Sequence, residues 1–125
     1  MPFRILVADD SSSWRKTLRE FLQQNPDWMV FEASNGYDAV RKAQLIHADV
    51  VILDFSMPVL NGLEAARELR RIIPDLLVLI VTADKTHFLE LAAQEAGAFA
   101  VLSKAECGIL PTLLQRRILA RAAYP

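Results

Sequence analysis

Cysteine is nearly absent. Cys107 is the single one in 125 residues, so no disulfide can close within the chain, and a reducing cytoplasm is the expected setting. Lying apart in sequence from the acidic residues discussed below, it reads as a small, half-buried helix residue rather than a reactive thiol. No excess of either charge exists: the net charge is −1, with acids and bases interleaved. A nucleic-acid-binding face needs a basic surplus, so none is expected. Long apolar runs are missing too. The longest, Leu76 to Val81, covers about a third of the roughly 20 residues that a membrane span requires. The first residues lack the basic-then-apolar pattern of a signal peptide, and no repeat, low-complexity tract or linker interrupts the chain. What is present is ordinary for a folded protein: 53% apolar and 23% charged residues, enough for one domain over residues 1–125.

Against that background the placement of the acids is informative. Val50-Val51-Ile52-Leu53 is an unbroken apolar run that closes in Asp54, and Phe55-Ser56-Met57-Pro58 comes next. A carboxylate closing a buried strand is costly unless it emerges at the strand's carboxyl end, where solvent, a metal or a substrate meets it. Phe3-Arg4-Ile5-Leu6-Val7-Ala8 likewise runs into Asp9-Asp10 and then Ser11-Ser12-Ser13. Two apolar strands that both end in acids imply a shared acidic pocket.

Strand-like and helix-like segments alternate along the chain. Strands are expected at 3–8, 28–33, 49–54, 77–82 and 99–102. The first helix carries Trp14, Leu18, Phe21 and Leu22 on one face and ends at Asn25-Pro26-Asp27. The second starts at Asn35-Gly36 with Asp38 in capping-box spacing. The third starts at Asn61 with Glu64 at the same offset and stops before Pro74. A fourth is expected from about Thr86 to Ala96, with Gly97 as its stop, and a fifth from about Pro111 to Ala122. The class is therefore α/β: a five-stranded parallel sheet with helices on both faces, joined by right-handed crossovers. In the order 2-1-3-4-5, strands one and three flank the switch point where ligands bind, and Asp9, Asp10 and Asp54 converge there.

Three carboxylates at close quarters repel one another unless protonated or bridged by a cation. Magnesium is the natural occupant, because it accepts one or two carboxylates, keeps several waters and bridges to phosphate. The fourth strand ends in Thr82-Ala83 and the fifth in Ser103-Lys104. A hydroxyl and an ammonium on the same edge complement a phosphoryl group: Lys104 offsets its charge and Thr82 donates a hydrogen bond.

The set Asp9-Asp10, Asp54 with Met57-Pro58 and Asn61-Gly62, Thr82-Ala83 and Lys104 resembles the CheY-like receiver domain of two-component response regulators, with a flavodoxin-like fold, from Phe3 to about Ala122. Gly97-Ala98, and a lysine not followed by proline, look most like the NarL/FixJ subgroup. The resemblance implies that Asp54 takes a phosphoryl group from a phosphohistidine on a sensor histidine kinase or phosphotransfer protein. It implies Mg²⁺ held by Asp10 directly, by Asp9 through water, and by Asp54 and the Ser56 backbone carbonyl. Lys104 and Thr82 would contact the phosphoryl oxygens. Phosphorylation would draw Thr82 inward and switch the surface of the fourth helix, fifth strand and fifth helix, where an output domain or partner, or a second copy, would bind. Ser56, Ala83 and Asp84 would tune the lifetime of the acyl phosphate. Activity would be limited to self-phosphorylation and self-dephosphorylation.

Two departures from the family pattern bear on the switch. Val101 stands where many receivers carry an aromatic, and Phe99, two places earlier, is expected on the same strand face. Ala105 follows Lys104 where a proline in a cis peptide is common. The expectation is a trans bond with a reshaped loop, or a strained cis bond. The competing classes are a degenerate receiver that only binds protein, an aspartyl-nucleophile phosphatase of the haloacid-dehalogenase kind, and a flavin carrier. The nucleophile on the third strand and the absence of a cap insertion disfavour the phosphatase. Asp9-Asp10 at the phosphate cradle disfavours the flavin carrier. His47 and His87 lack partners at ligand spacing and read as surface residues, as do the arginines Arg67, Arg70 and Arg71. Trp14, one turn past the acid pair, is expected close enough to report metal binding through its fluorescence.

Overall fold

The computed structural model describes residues 2–123; residue 1 and residues 124–125 of the expected 1–125 domain lie outside the described residues. Strands β1 (Phe3–Ala8), β2 (Trp28–Ala33), β3 (Val50–Asp54), β4 (Leu77–Thr82) and β5 (Ala100–Ser103) form one parallel sheet in the order β2-β1-β3-β4-β5, as the alternation of elements predicts. Helices α1 (Ser12–Leu22), α2 (Gly36–Leu45), α3 (Gly62–Ile72), α4 (His87–Glu95) and α5 (Leu110–Ala123) connect and flank them.

Two apolar layers cover the sheet, and strand periodicity divides them. Leu6, Ala8, Val51, Leu53, Val78 and Ile80 face α2, α3 and α4, which present Ala39, Ala43, Ala65, Ala66, Leu69 and Ala93. Their alternate neighbours Ile5, Val7, Ile52, Leu79 and Val81 face Leu18 and Leu22 of α1 and Leu110 and Leu114 of α5. β3 and β4 are buried along their whole length, which is why they read as continuous apolar runs.

The helix starts obey local chemistry. Ser11 caps α1 by accepting from the Trp14 N–H, so neither Asp9 nor Asp10 is used as the cap. Asn61 and Glu64 complete a reciprocal capping box at α3. At α2 only half of the box forms. Asn35 accepts from the Asp38 N–H, while the Asp38 carboxylate turns to Arg41 (2.8 Å) and Lys42 (3.2 Å). Two cations one turn along the helix attract it more strongly than a single backbone N–H.

The last strand and the segment after it differ from expectation. β5 starts at Ala100, one residue later than 99, and Lys104–Ile109 forms a 3₁₀ segment that runs directly into α5. Glu106 accepts from the Ser103 N–H at 2.9 Å and stops the strand there. All described peptide bonds are trans, Lys104–Ala105 included, so the loop is reshaped rather than held in the cis form. Phe99 does not share a face with Val101. It lies just outside β5 and packs with the α1–α5 layer, whereas Val101 packs with the opposite layer.

Candidate functional site

Register brings the site together. Ala8 pairs with Leu53, so Asp9 and Asp54 are the next residues on adjacent strand ends. Asp54 pairs with Val81, placing Thr82 one step on, and Thr82 pairs with Ser103, placing Lys104 one step on again. Four side chains from four chain segments thus line the carboxyl edge of the sheet at the switch point between β1 and β3.

Asp9 is 1% exposed and Asp54 6%, while Asp10 is exposed. One carboxylate oxygen from each of the three lies within 4.8 Å of the others. The Asp9 N–H donates to the Ala33 carbonyl at 3.1 Å, which extends the β1–β2 ladder. Asp9 Oδ1 accepts from the Ser11 N–H at 2.8 Å, whereas Oδ2 is buried and accepts no hydrogen bond. Lys104 Nζ stands 3.3 Å from that Oδ2 and 3.7 Å from Asp54 Oδ1.

The electrostatics reflect this crowding. Burial, then the charge of Asp9, raises the Asp54 carboxyl from 3.8 to about 6; Asp10 adds to the rise, while Lys104 and a Ser56 backbone hydrogen bond oppose it. A buried carboxylate oxygen that accepts no hydrogen bond, beside two more carboxylates and all offering oxygen, is the donor set of a hard dication. The residues present therefore fit Mg²⁺.

Beside the acids opens a cavity of about 600 Å³. Its polar side includes Ser56, Thr82, Asp84 and Lys104, and Phe55 and Leu63 contribute to its apolar wall. Ala83 also lines it and is small enough to leave Asp54 approachable. Thr82 is 5% exposed, and its hydroxyl closes a local turn, accepting from the Asp84 N–H (3.2 Å) and donating to the Asp84 carbonyl (3.4 Å). Val101 sits beside this edge, half-buried. His47 and His87 are exposed and stand outside the acidic group.

Two features escaped the sequence reading. Arg15 donates to the Asp9 carbonyl at 2.7 Å and to Glu32 at 2.8 Å, and Arg19 holds the other Glu32 oxygen. An arginine one helical turn past the acid pair, and an acid near the end of the adjacent strand, were the available signals. The second is a contact of Trp14, a residue already expected near the acid pair: its ring lies under the Lys104 ammonium, 5.3 Å from Nζ to the ring centroid.

A doubly wound parallel sheet with acids at its switch point and a lysine beside them defines a CheY-like receiver fold. The family model for the response regulator receiver domain matches residues 5–109, and this chain belongs to that family. It is 39% identical over 105 residues to a protein-glutamate methylesterase/protein-glutamine glutaminase of Myxococcus xanthus, covering 82% of this chain and 30% of that protein. It is 38% identical over 106 residues to the transcriptional regulatory protein PdtaR of Mycobacterium tuberculosis, covering 83% of this chain and 50% of that one. The chain thus spans half or less of the length of these two relatives. Among solved structures, the response regulator domain of Thermotoga maritima CheB superposes with a TM-score of 0.84 at 28% identity, covering all of both chains. No helix among the described residues is long and apolar enough to cross a membrane.

Proposed function

We propose that the chain is a phosphoacceptor in a two-component phosphorelay, with Asp54 as the nucleophile. The observation that carries this reading is the convergence of three carboxylates and one ammonium at a single sheet edge, with Asp54 open to a cavity. An Asp54 carboxylate oxygen attacks the phosphorus of a phosphohistidine on a sensor histidine kinase or phosphotransfer protein. The phosphorus–nitrogen bond breaks, the imidazole leaves with the electron pair and takes up a proton, and an aspartyl phosphate forms. Asp10, Asp54 and the Ser56 backbone carbonyl, with Asp9 through water, would hold Mg²⁺, which would supply positive charge against the phosphoryl oxygens.

The protein's own contribution is position and charge. Lys104 meets the phosphoryl oxygens with its ammonium, and Thr82 exchanges its hydrogen bonds with Asp84 for one to the phosphoryl group. That exchange frees the Ala83–Asp84 turn and biases the α4, β5 and α5 surface, with Val101 as the side chain beside the moving threonine. Ser56, Ala83 and Asp84 border the path of an attacking water and set the lifetime of the acyl phosphate. The chain acts as a cytoplasmic signalling module with self-phosphorylation and self-dephosphorylation as its chemistry. Its partners are the phosphodonor protein and an output domain, effector or second copy on the α4-β5-α5 face. Incubation with acetyl phosphate, with and without Mg²⁺, is read by intact mass. A single adduct that needs Mg²⁺ and disappears in Asp54→Asn is expected. Rapid multiple turnover of varied phosphomonoesters would instead establish a phosphatase, and no adduct at all a protein-binding module.

A further inference from the structure

We infer that Trp14 is a positioning residue for Lys104: the face of its indole holds the ammonium between Asp9 and Asp54. The inference rests on the phosphoacceptor reading of Asp54 and extends it to an aromatic residue that touches the lysine. Lys104 is held by charge alone on its carboxylate side. Asp9 Oδ2 accepts no hydrogen bond, and 3.7 Å to Asp54 is too long for one. An ammonium on a four-carbon stem, 29% exposed, needs something else to keep it out of solvent. The Trp14 ring, with Nζ over its face at 5.3 Å from the centroid, is such a surface.

The ring's own situation points the same way. A buried indole N–H normally finds an acceptor. Trp14 Nε1 is buried and finds none. The pose is therefore not selected by the N–H: the ring packs against the α1–α5 layer and presents its face to Lys104. The turn that carries the ring is fixed, because the Trp14 backbone N–H donates to the Ser11 cap at 3.2 Å at the start of α1. A helix start is thereby coupled to the lysine that would meet the phosphoryl group, through an aromatic face rather than a hydrogen bond.

The test is a double-mutant cycle on the rate of Mg²⁺-dependent labelling by acetyl phosphate, read by intact mass. Trp14→Leu is expected to slow labelling roughly 3- to 10-fold, the range that a cation–π contact supplies. Trp14→Phe, which keeps an aromatic face, retains most of the rate. In a Lys104→Ala background Trp14→Leu has no further effect. An equal slowing in both backgrounds overturns the proposal, since Trp14 would then merely pack α1. A second measurement leaves position 14 intact, in case Trp14→Leu does not fold. Trp28 packs against Phe3 at the opposite end of the sheet (centroids 6.1 Å apart, rings tilted by 46°), so Trp28→Phe isolates the emission of Trp14. Adding Lys104→Ala to that chain, without metal, is expected to brighten Trp14 by removing an ammonium from its face. Unchanged emission overturns the contact. Failure of the unsubstituted chain to take any phosphoryl group would sink the phosphoacceptor reading instead, while the emission pair still judges the contact.

Discussion

Replacing Asp54 by asparagine should make the metal-free protein more stable at neutral pH, although it removes the reactive group. Asp54 carries a carboxyl raised from 3.8 to about 6 by burial and by the charge of Asp9. In the unfolded chain the same carboxyl ionises near its ordinary value. Between those two values the folded state keeps a proton that the unfolded state has lost, so stability falls as pH rises, and the full penalty is present above about pH 6. A rise of about 2 units at roughly 1.4 kcal/mol each amounts to about 3 kcal/mol. An asparagine avoids the ionisation. At pH 7.5 in chelator, Asp54→Asn should therefore unfold roughly 8–12 °C above the parent, by the usual scaling for a domain of this size. As the pH falls the gap should shrink, to about half near pH 5, and it should approach zero only below the ordinary value of about 3.8, where the carboxyl is protonated in both states. Saturating Mg²⁺ should narrow it from the other side, since an ion at 100 times its dissociation constant adds about 2.7 kcal/mol to the species that binds it and the variant has one ligand fewer. Scanning calorimetry from about pH 3.5 to 8, with chelator and with Mg²⁺, reads all three trends. A variant no more stable than the parent at pH 7.5 in chelator, or a gap that widens on acidification, would refute the account of the site as a strained acidic cluster.

Three further outcomes rest on local geometry. A Cβ at Gly62 would lie 2.7 Å from the Asp54 carbonyl oxygen and 2.9 Å from Phe55 Cα, so Gly62→Ala should cost about 1–3 kcal/mol in denaturant melts and slow labelling of Asp54 by displacing the end of β3. Val59, β-branched and 80% exposed, holds φ at 71° with little packing in return, so Val59→Asn should raise stability by about 1 kcal/mol in the same melts and leave labelling unchanged. Burial pushes the Cys107 thiol up to about 11 against the opposing charge of Lys104, so a thiol reagent at pH 8 should leave the native protein unmodified and label it fully in guanidinium; fast native labelling would contradict that placement.

The unbroken apolar runs at Val50–Leu53 and Leu77–Val81, the acids after Ala8 and Leu53, and the caps at Asn35 and Asn61 were all readable before any coordinate. Each depends on neighbours a few residues away: hydrophobic period selects strand or helix, and a polar cap satisfies the nearest free N–H. Parallel order then comes from connection length and handedness, which carry the acids to one edge. What tertiary structure decided lies at the level of single partners. Asp38 chose Arg41 and Lys42 over a backbone N–H, Phe99 left the strand and crossed to the other layer, and Glu106 ended β5 and turned Lys104–Ile109 into a 3₁₀ segment. The Thr82 hydroxyl closed on Asp84, and Trp14 came to rest under Lys104 across a sequence gap of most of the chain. Such choices turn on differences of about 1 kcal/mol between competing contacts, and those of Phe99 and Trp14 come into existence only when distant segments pack.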